Sequence, residues 1–139
     1  FIMDGQTPAI IEITPRPGGD CIPFLIKEAT GLDILGLTMD FAERKALAGK
    51  GASSFKPHIG LRIHAGRPGV FNGFSTDLST DDNRVKQIHI IRRPGHKITM
   101  PPEDYDSWLL GHIIIEPDNI TYPETQSILI RQRLKMEIQ

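Results

Sequence analysis

Apolar and polar residues alternate with two different periods along this chain, and the change of period marks its elements. At the start, Phe1-Ile2-Met3 and Ala9-Ile10-Ile11-Glu12-Ile13 are strand-like runs around Asp4-Gly5. An Asp-Gly pair between two such runs is a hairpin signal, with Asp4 to Pro8 as the expected loop. Pro15 to Gly19 packs two prolines and two glycines into five residues and is expected to be irregular. A helix is predicted next, with Asp20 as N-cap, Pro23 in the first turn, Ile22, Leu25, Ile26 and Ala29 at helical spacing, and Gly31 as the stop. Asp33 caps a second predicted helix. Its Leu35, Leu37, Met39, Phe41, Ala42 and the nearby Leu47 are expected to be mostly buried.

Gly49 to Ser54 reads as a Gly/Ser linker, and the pattern then becomes strand-like. His58 to His64 places Ile59, Leu61 and Ile63 on one face. Residues 65–84 are rich in Gly, Asp, Ser and Asn and are expected to be mostly loop. Val85 to Arg92 alternates, with Lys86, Ile88, Ile90 and Arg92 as the expected inward set, and Pro94-Gly95 ends the run. Leu109 to Glu116 is a short apolar strand. Thr121 and Glu124 form a capping-box pattern around a helix starting near Pro123, with Ile128, Leu129 and Leu134 inward. Lys135 to Ile138 alternates like a closing strand. The reading is an α+β fold with a mixed or antiparallel sheet. It divides into residues 1–48, a linker at 49–56 and a small lobe at 57–139.

Composition narrows the function classes. The 139 residues carry a formal net charge of −1, which argues against a nucleic-acid or anionic-membrane partner. No apolar run reaches the roughly 20 residues that cross a bilayer. A single cysteine, Cys21, excludes an internal disulfide and any multi-cysteine zinc site, and makes a reducing, cytoplasmic setting the default. The chain lacks an initiator Met and begins on a strand-like run, so a segment is expected before Phe1.

The segment richest in chemistry is Ile10 to Asp20. On a strand, Glu12 and Thr14 would share a side and offer two oxygens to a hard cation such as Mg²⁺. Arg16 continues that face and could clamp a phosphoryl or carboxylate oxygen. Gly18-Gly19 then supply free N–H groups near a helix start, where an anion is favoured. The spacing alone equally describes an exposed sheet face followed by a turn.

Glu12-Ile13-Thr14-Pro15-Arg16-Pro17-Gly18-Gly19-Asp20, followed by Ile22-Pro23 and Ala29-Thr30-Gly31-Leu32-Asp33, resembles the C-terminal part of ATP-grasp domains. The family pattern there is Glu-x-Asn-x-Arg, a Gly-rich turn, and a helix ending in Ala-Thr-Gly-hydrophobic-Asp. The branch resembled is that of L-amino acid ligases, biotin carboxylase and carbamoyl-phosphate synthase. The resemblance covers roughly residues 1–48 and is looser over 57–139, where Arg92-Arg93-Pro94-Gly95 and Gly111-His112-Ile113-Ile114 carry it. It implies an ATP- and Mg²⁺-dependent ligase that joins a carboxylate to an amine through an acyl phosphate. In that comparison Glu12 is a metal-binding acid, and Thr14 stands where the family has a metal-binding Asn. A hydroxyl is a poorer Mg²⁺ ligand than an amide oxygen. Arg16 is the catalytic arginine that holds the reacting phosphoryl group. Gly18 and Gly19 are candidates for phosphate or substrate-anion binding.

The same resemblance places the nucleotide-binding lysines and the first metal acid ahead of Phe1, so the chain alone is expected neither to bind ATP well nor to turn over substrate. The expected partners are carboxylate and amine substrates and the preceding part of the same polypeptide, with a homodimer left open. One alternative is an enzyme that phosphorylates bicarbonate, like carbamoyl-phosphate synthase or biotin carboxylase. Another, of a different class, is a non-catalytic binding or oligomerisation lobe.

The remaining candidates read as structure. His58, His64, His89, His96 and His112 are expected at the surface or in loops. Asp81-Asp82-Asn83 reads as a solvated turn, since no calcium-loop Gly or distal Glu follows. Arg92-Arg93 and Arg131, Arg133, Lys135 read as solvated faces, and Cys21 as a small packing residue. Tyr105 and Trp108 are expected to cover the junction with the lobe.

Overall fold

The computed structural model describes residues 2–13, 18–47, 51, 54–78, 84–118 and 121–139. Half of the expected linker, and Asp81-Asp82-Asn83, lie outside them. The described elements are β1 (Ile2–Asp4), β2 (Thr7–Ala9), α1 (Ile22–Thr30), α2 (Ile34–Ala42), β3 (Ile59–His64), β4 (Gly69–Thr76), β5 (Val85–Ile90), β6 (His96–Ile98), β7 (Leu109–Ile115), α3 (Pro123–Gln132) and β8 (Leu134–Ile138). The fold is α+β, and every described strand pairing is antiparallel.

The N-terminal hairpin is tighter than the pattern suggests. Asp4 pairs with Thr7, leaving a two-residue turn at Gly5-Gln6, with Gly5 at φ 62°. A left-handed residue lets so short a turn close. The second strand ends at Ala9, so Ile10 to Ile13 is not strand, which corrects the longer run expected there.

Two three-stranded sheets build the rest, in the orders β3-β7-β5 and β6-β4-β8. Their apolar faces meet in one core of Ile63, Ala65, Phe71, Leu78, Ile98, Leu110, Ile113 and Ile115. Ile88 and Ile90 pack against it as expected, while Lys86 stays out and pairs with Glu116 at 3.0 Å. β7 is the middle strand of its sheet, and every residue from Leu110 to Ile115 is buried. Ile113 and Ile115 join the inter-sheet core, and His112 and Ile114 are covered as well.

β4 overturns the expectation of a loop across residues 65–84. Its register shifts between Phe71 and Gly73 against β8. That bulge brings Phe71 and Phe74, three residues apart, to the same core and erases the period-2 signal. Gly69 opens the strand at φ 147°, where a Cβ would lie 2.2 Å from the Gln139 carbonyl oxygen.

The helices follow their stop signals better than their caps. Gly31 ends α1 at φ 75°, and Asp33 caps α2 by accepting from the Gly36 N–H at 2.9 Å. Asp20 is not the α1 cap. Cys21 holds that position, and Asp20, at φ 56°, turns its carboxylate to Arg62. Tyr122, not Thr121, is the N-cap of α3, and Pro123 begins the helix. α2 packs on α1, but its Leu35, Met39 and Phe41 are exposed, Phe41 at 72%, against the expectation of burial. Ile128 and Leu129 on α3 are also exposed, with Ile130 packed on the core in their place, while Leu134 reaches the core as expected.

Gly111 shows how closely β7 is gripped: a Cβ there would lie 2.1 Å from the His89 carbonyl oxygen and 3.0 Å from Ile90 Cα. Backbone atoms cannot yield as a side chain can, so Gly111→Ala is expected to cost about 3 kcal/mol or more. The midpoint of urea unfolding, compared with that of the parent chain, measures it.

Candidate functional site

The Glu12–Asp20 segment leads from the hairpin to α1. Glu12 lies beyond β2 and is exposed, flanked by Ile11 and Ile13, also exposed. The alternation that would align Glu12 with Thr14 and Arg16 is therefore not that of a strand at Glu12. Thr14 and Arg16 lie outside the described residues. Gly18 and Gly19 are exposed and sit directly before α1, as expected for residues at a helix start. The Gly19 carbonyl accepts from the Ile22 N–H at 3.3 Å, and a Cβ on Gly19 would meet nothing within 4 Å. On the Gly19 side the turn is open among the described residues, whereas a Cβ on Gly18 would lie 3.1 Å from Ile22 Cδ1.

α1 lies across the outer face of the β3-β7-β5 sheet. A Cβ on Gly60 of β3 would sit 3.0 Å from Cys21 Sγ and 3.4 Å from Leu25 Cδ2. Cys21 is buried, and that burial pushes its thiol pKa up, which suits packing rather than nucleophilic chemistry. An ion pair between Asp20 and Arg62 ties the end of the loop to the sheet.

Beneath α1 lies a row of polar side chains that the sequence pattern did not reveal. Arg62 of β3 faces His112 of β7, and His112 faces His89 of β5. The two imidazoles are 5.2 Å apart, and Phe24 of α1 stacks on both, at 5.4 Å from His112 and 6.4 Å from His89. His112 is 6% exposed, and its Nε2 is buried without a hydrogen-bond partner among the described residues. Burial, reinforced by His89, holds its pKa below the ordinary imidazole value. The expectation of a surface position holds for His89, which is exposed, and fails for His112, because β7 is covered on both faces and the strand register, invisible in the linear pattern, sets three distant residues side by side. Beside the row is a cleft of about 280 Å³ lined by Asp20, Phe24, Arg62, His89, Asp106 and His112, among others.

Neighbouring groups brace this face. Arg92 donates to the Leu109 and Asp106 carbonyls at 3.0 and 2.8 Å and to Asp106 Oδ2 at 2.8 Å. Arg131 donates to the Arg62 carbonyl at 2.9 Å, and Arg133 binds Asp77. Arg92 is thus a largely covered tie rather than the solvated face expected, whereas Arg131 is exposed as expected and makes its bond at the surface. Trp108 stacks on His64 at 4.2 Å and packs on the core, while Tyr105 is exposed and covers no junction. Among the described residues no group of three or more His, Cys, Asp or Glu is arranged to hold a metal ion.

No protein-family model matches the sequence, and no curated protein matches it. Solved structures do. An L-amino acid ligase from Bacillus licheniformis superposes on 96% of the chain with TM-score 0.70 and 22% identity. A phosphoribosylglycinamide synthetase from Anaerococcus prevotii superposes on 88% with TM-score 0.67 and 14% identity. Both are ATP-grasp enzymes. The chain has the fold of a portion of an ATP-grasp enzyme. It spans about a third of the length of those two chains, 34% and 31%. Among the described residues no helix is long and apolar enough to cross a membrane.

The buried imidazole makes stability pH-dependent. In the unfolded chain His112 titrates near its ordinary value of about 6.5, whereas the fold favours its neutral form. Below that value the unfolded state binds the proton more readily, so stability falls as pH drops and is fully restored above it. His64 acts in the same direction, through burial and the nearby Arg131 and Arg62. The urea midpoint is expected to fall between pH 7 and pH 5, and His112→Gln to make that fall shallower.

Proposed function

We propose that this chain is the C-terminal part of an ATP- and Mg²⁺-dependent ligase that joins a carboxylate to an amine, with residues 1–48 ending the ATP-grasp domain and 57–139 forming a small lobe. The observation that carries the reading is the ATP-grasp fold over nearly the whole chain, in the same molecule that bears Glu12-x-Thr14-x-Arg16 and then Gly18-Gly19 before α1. The L-amino acid ligase among the structural neighbours favours an amine nucleophile over a bicarbonate acceptor. The proposed setting is the cytoplasm, and the proposed partners are the two substrates and the rest of the polypeptide.

In this reading a substrate carboxylate takes the γ-phosphoryl group of ATP to give an acyl phosphate, and the amine then displaces phosphate from it. Arg16 neutralises charge on the transferring phosphoryl oxygens. Gly18-Gly19 offer backbone N–H groups to an anion, and the open surround of Gly19 supports this role. Glu12 and Thr14 are hard oxygen donors of the kind Mg²⁺ takes, and the exposed Glu12 carboxylate is free to approach a phosphate-bound ion. Bound there, Mg²⁺ would supply charge neutralisation at the phosphoryl group.

The test uses the longer polypeptide that contains this chain. Phosphate release from ATP is expected only when both a carboxylate and an amine are supplied, and Arg16→Ala is expected to lower it by about 100-fold or more with the fold intact by circular dichroism. Turnover driven by bicarbonate alone would move the assignment to the bicarbonate-phosphorylating branch. A variant that retains full turnover would remove Arg16 from the chemistry.

A further inference from the structure

The lining of the cleft under α1 includes two carboxylates and a single guanidinium. The Arg62 guanidinium is engaged by Asp20, and the Asp106 carboxylate is held by Arg92. Each of those carboxylates has about four lone-pair positions, so a single arginine leaves acceptor capacity on both. Phe24 adds the negative face of an aromatic ring, which attracts cations. Ile91 and Leu109 supply apolar wall. At its base is the His112 ring, 6% exposed, whose buried Nε2 has no hydrogen-bond partner among the described residues. Buried polar atoms of folded proteins are nearly always bonded, so an orphan beside a cleft points to a ligand.

A ligand that fits this lining brings several N–H donors, one positive charge and a short apolar body. We propose that the cleft between α1 and the β3-β7-β5 sheet binds a small primary amine as its ammonium, held by Asp20 and Asp106 against the Phe24–His112 pair. A cleft of about 280 Å³ sets a small size for that amine. The site deepens the ligase reading by giving the nucleophile a seat, and rests on that reading only for the word nucleophile. Asp20 is the residue after Gly18-Gly19, so the amine would wait beside the turn assigned to the anion.

The experiment uses this chain and two probes. Histidine ring signals are followed by NMR at pH 7.5 and constant ionic strength while ethylamine hydrochloride or sodium acetate is added, with signals assigned from His→Gln variants. The expected result is saturable movement of the His112 and His89 signals with ethylamine, no such movement with acetate, and little change at His58. Asp20→Asn keeps a residue that tolerates positive φ, and should weaken binding about tenfold, the loss of one charge-assisted hydrogen bond. Asp106→Asn, whose side chain is 82% exposed and whose amide oxygen can still accept from Arg92, should weaken it in the same direction. No saturation with ethylamine, an equal response to acetate, or unchanged affinity in both variants overturns the proposal. Neither ATP nor Arg16 is needed for this binding. A silent titration beside an active ligase therefore sinks the amine site alone, and loss of the ligase reading leaves the titration standing.

Discussion

β7 is buried on both faces, and this constraint organises the molecule. A strand with apolar core on one side and a helix on the other cannot use the usual alternation of inward apolar and outward polar residues. Its sequence from Leu110 to Ile115 is accordingly almost all apolar, and the one ionisable residue in it, His112, is carried indoors. The neutral form of the imidazole is the one such a site tolerates. Gly111 completes the arrangement, because only a missing side chain lets β5 approach there. The inter-sheet core, the seat of α1 and the polar row across the sheet all follow from where this strand lies.

The same strand links the loop chemistry to the lobe. Asp20 ends the turn that follows Gly18-Gly19, and its pairing with Arg62 attaches that turn to β3. Phe24, in the first turn of α1, rests on the two imidazoles. Movement of the β3-β7-β5 face would therefore be felt at the glycine turn through one ion pair and one ring stack. Arg131 reaches from α3 to the Arg62 carbonyl and fixes the far end of this linkage.

Local signals were legible in the sequence where one residue decides the outcome. Gly31 stops α1 because it alone takes a left-handed conformation freely, and Asp33 caps α2 because its carboxylate reaches the Gly36 N–H. The strand character of β3, β5, β7 and β8 was legible from alternation or unbroken apolarity. β4 was not, because its bulge places Phe71 and Phe74 on one side. The exposure of Leu35, Met39 and Phe41 was not legible either, since periodicity identifies an apolar face and is silent about what covers it. For the site, the Glu12 to Gly19 segment stood out through residue type and spacing. The Arg62–His112–His89 row depends on long-range register, and no linear spacing encodes it. Asp20 reads from the sequence as the α1 cap, but it lies one residue ahead of that position with a left-handed backbone, and its bond to Arg62 arises from tertiary packing.

The strand order β3-β7-β5 also has a kinetic side. The middle strand comes last in the chain, so the first and second partners must wait as unpaired edges until it is available. Few of the decisive contacts are local; the Arg131 bond to Arg62 spans 69 residues. Chains whose pairings are this remote close large loops before gaining any enthalpy and assemble slowly, on scales from milliseconds to seconds. Until β7 arrives, the isoleucines of β3 and β5 remain open to the solvent and to other nascent chains, and the speed of its insertion sets how long that exposure lasts.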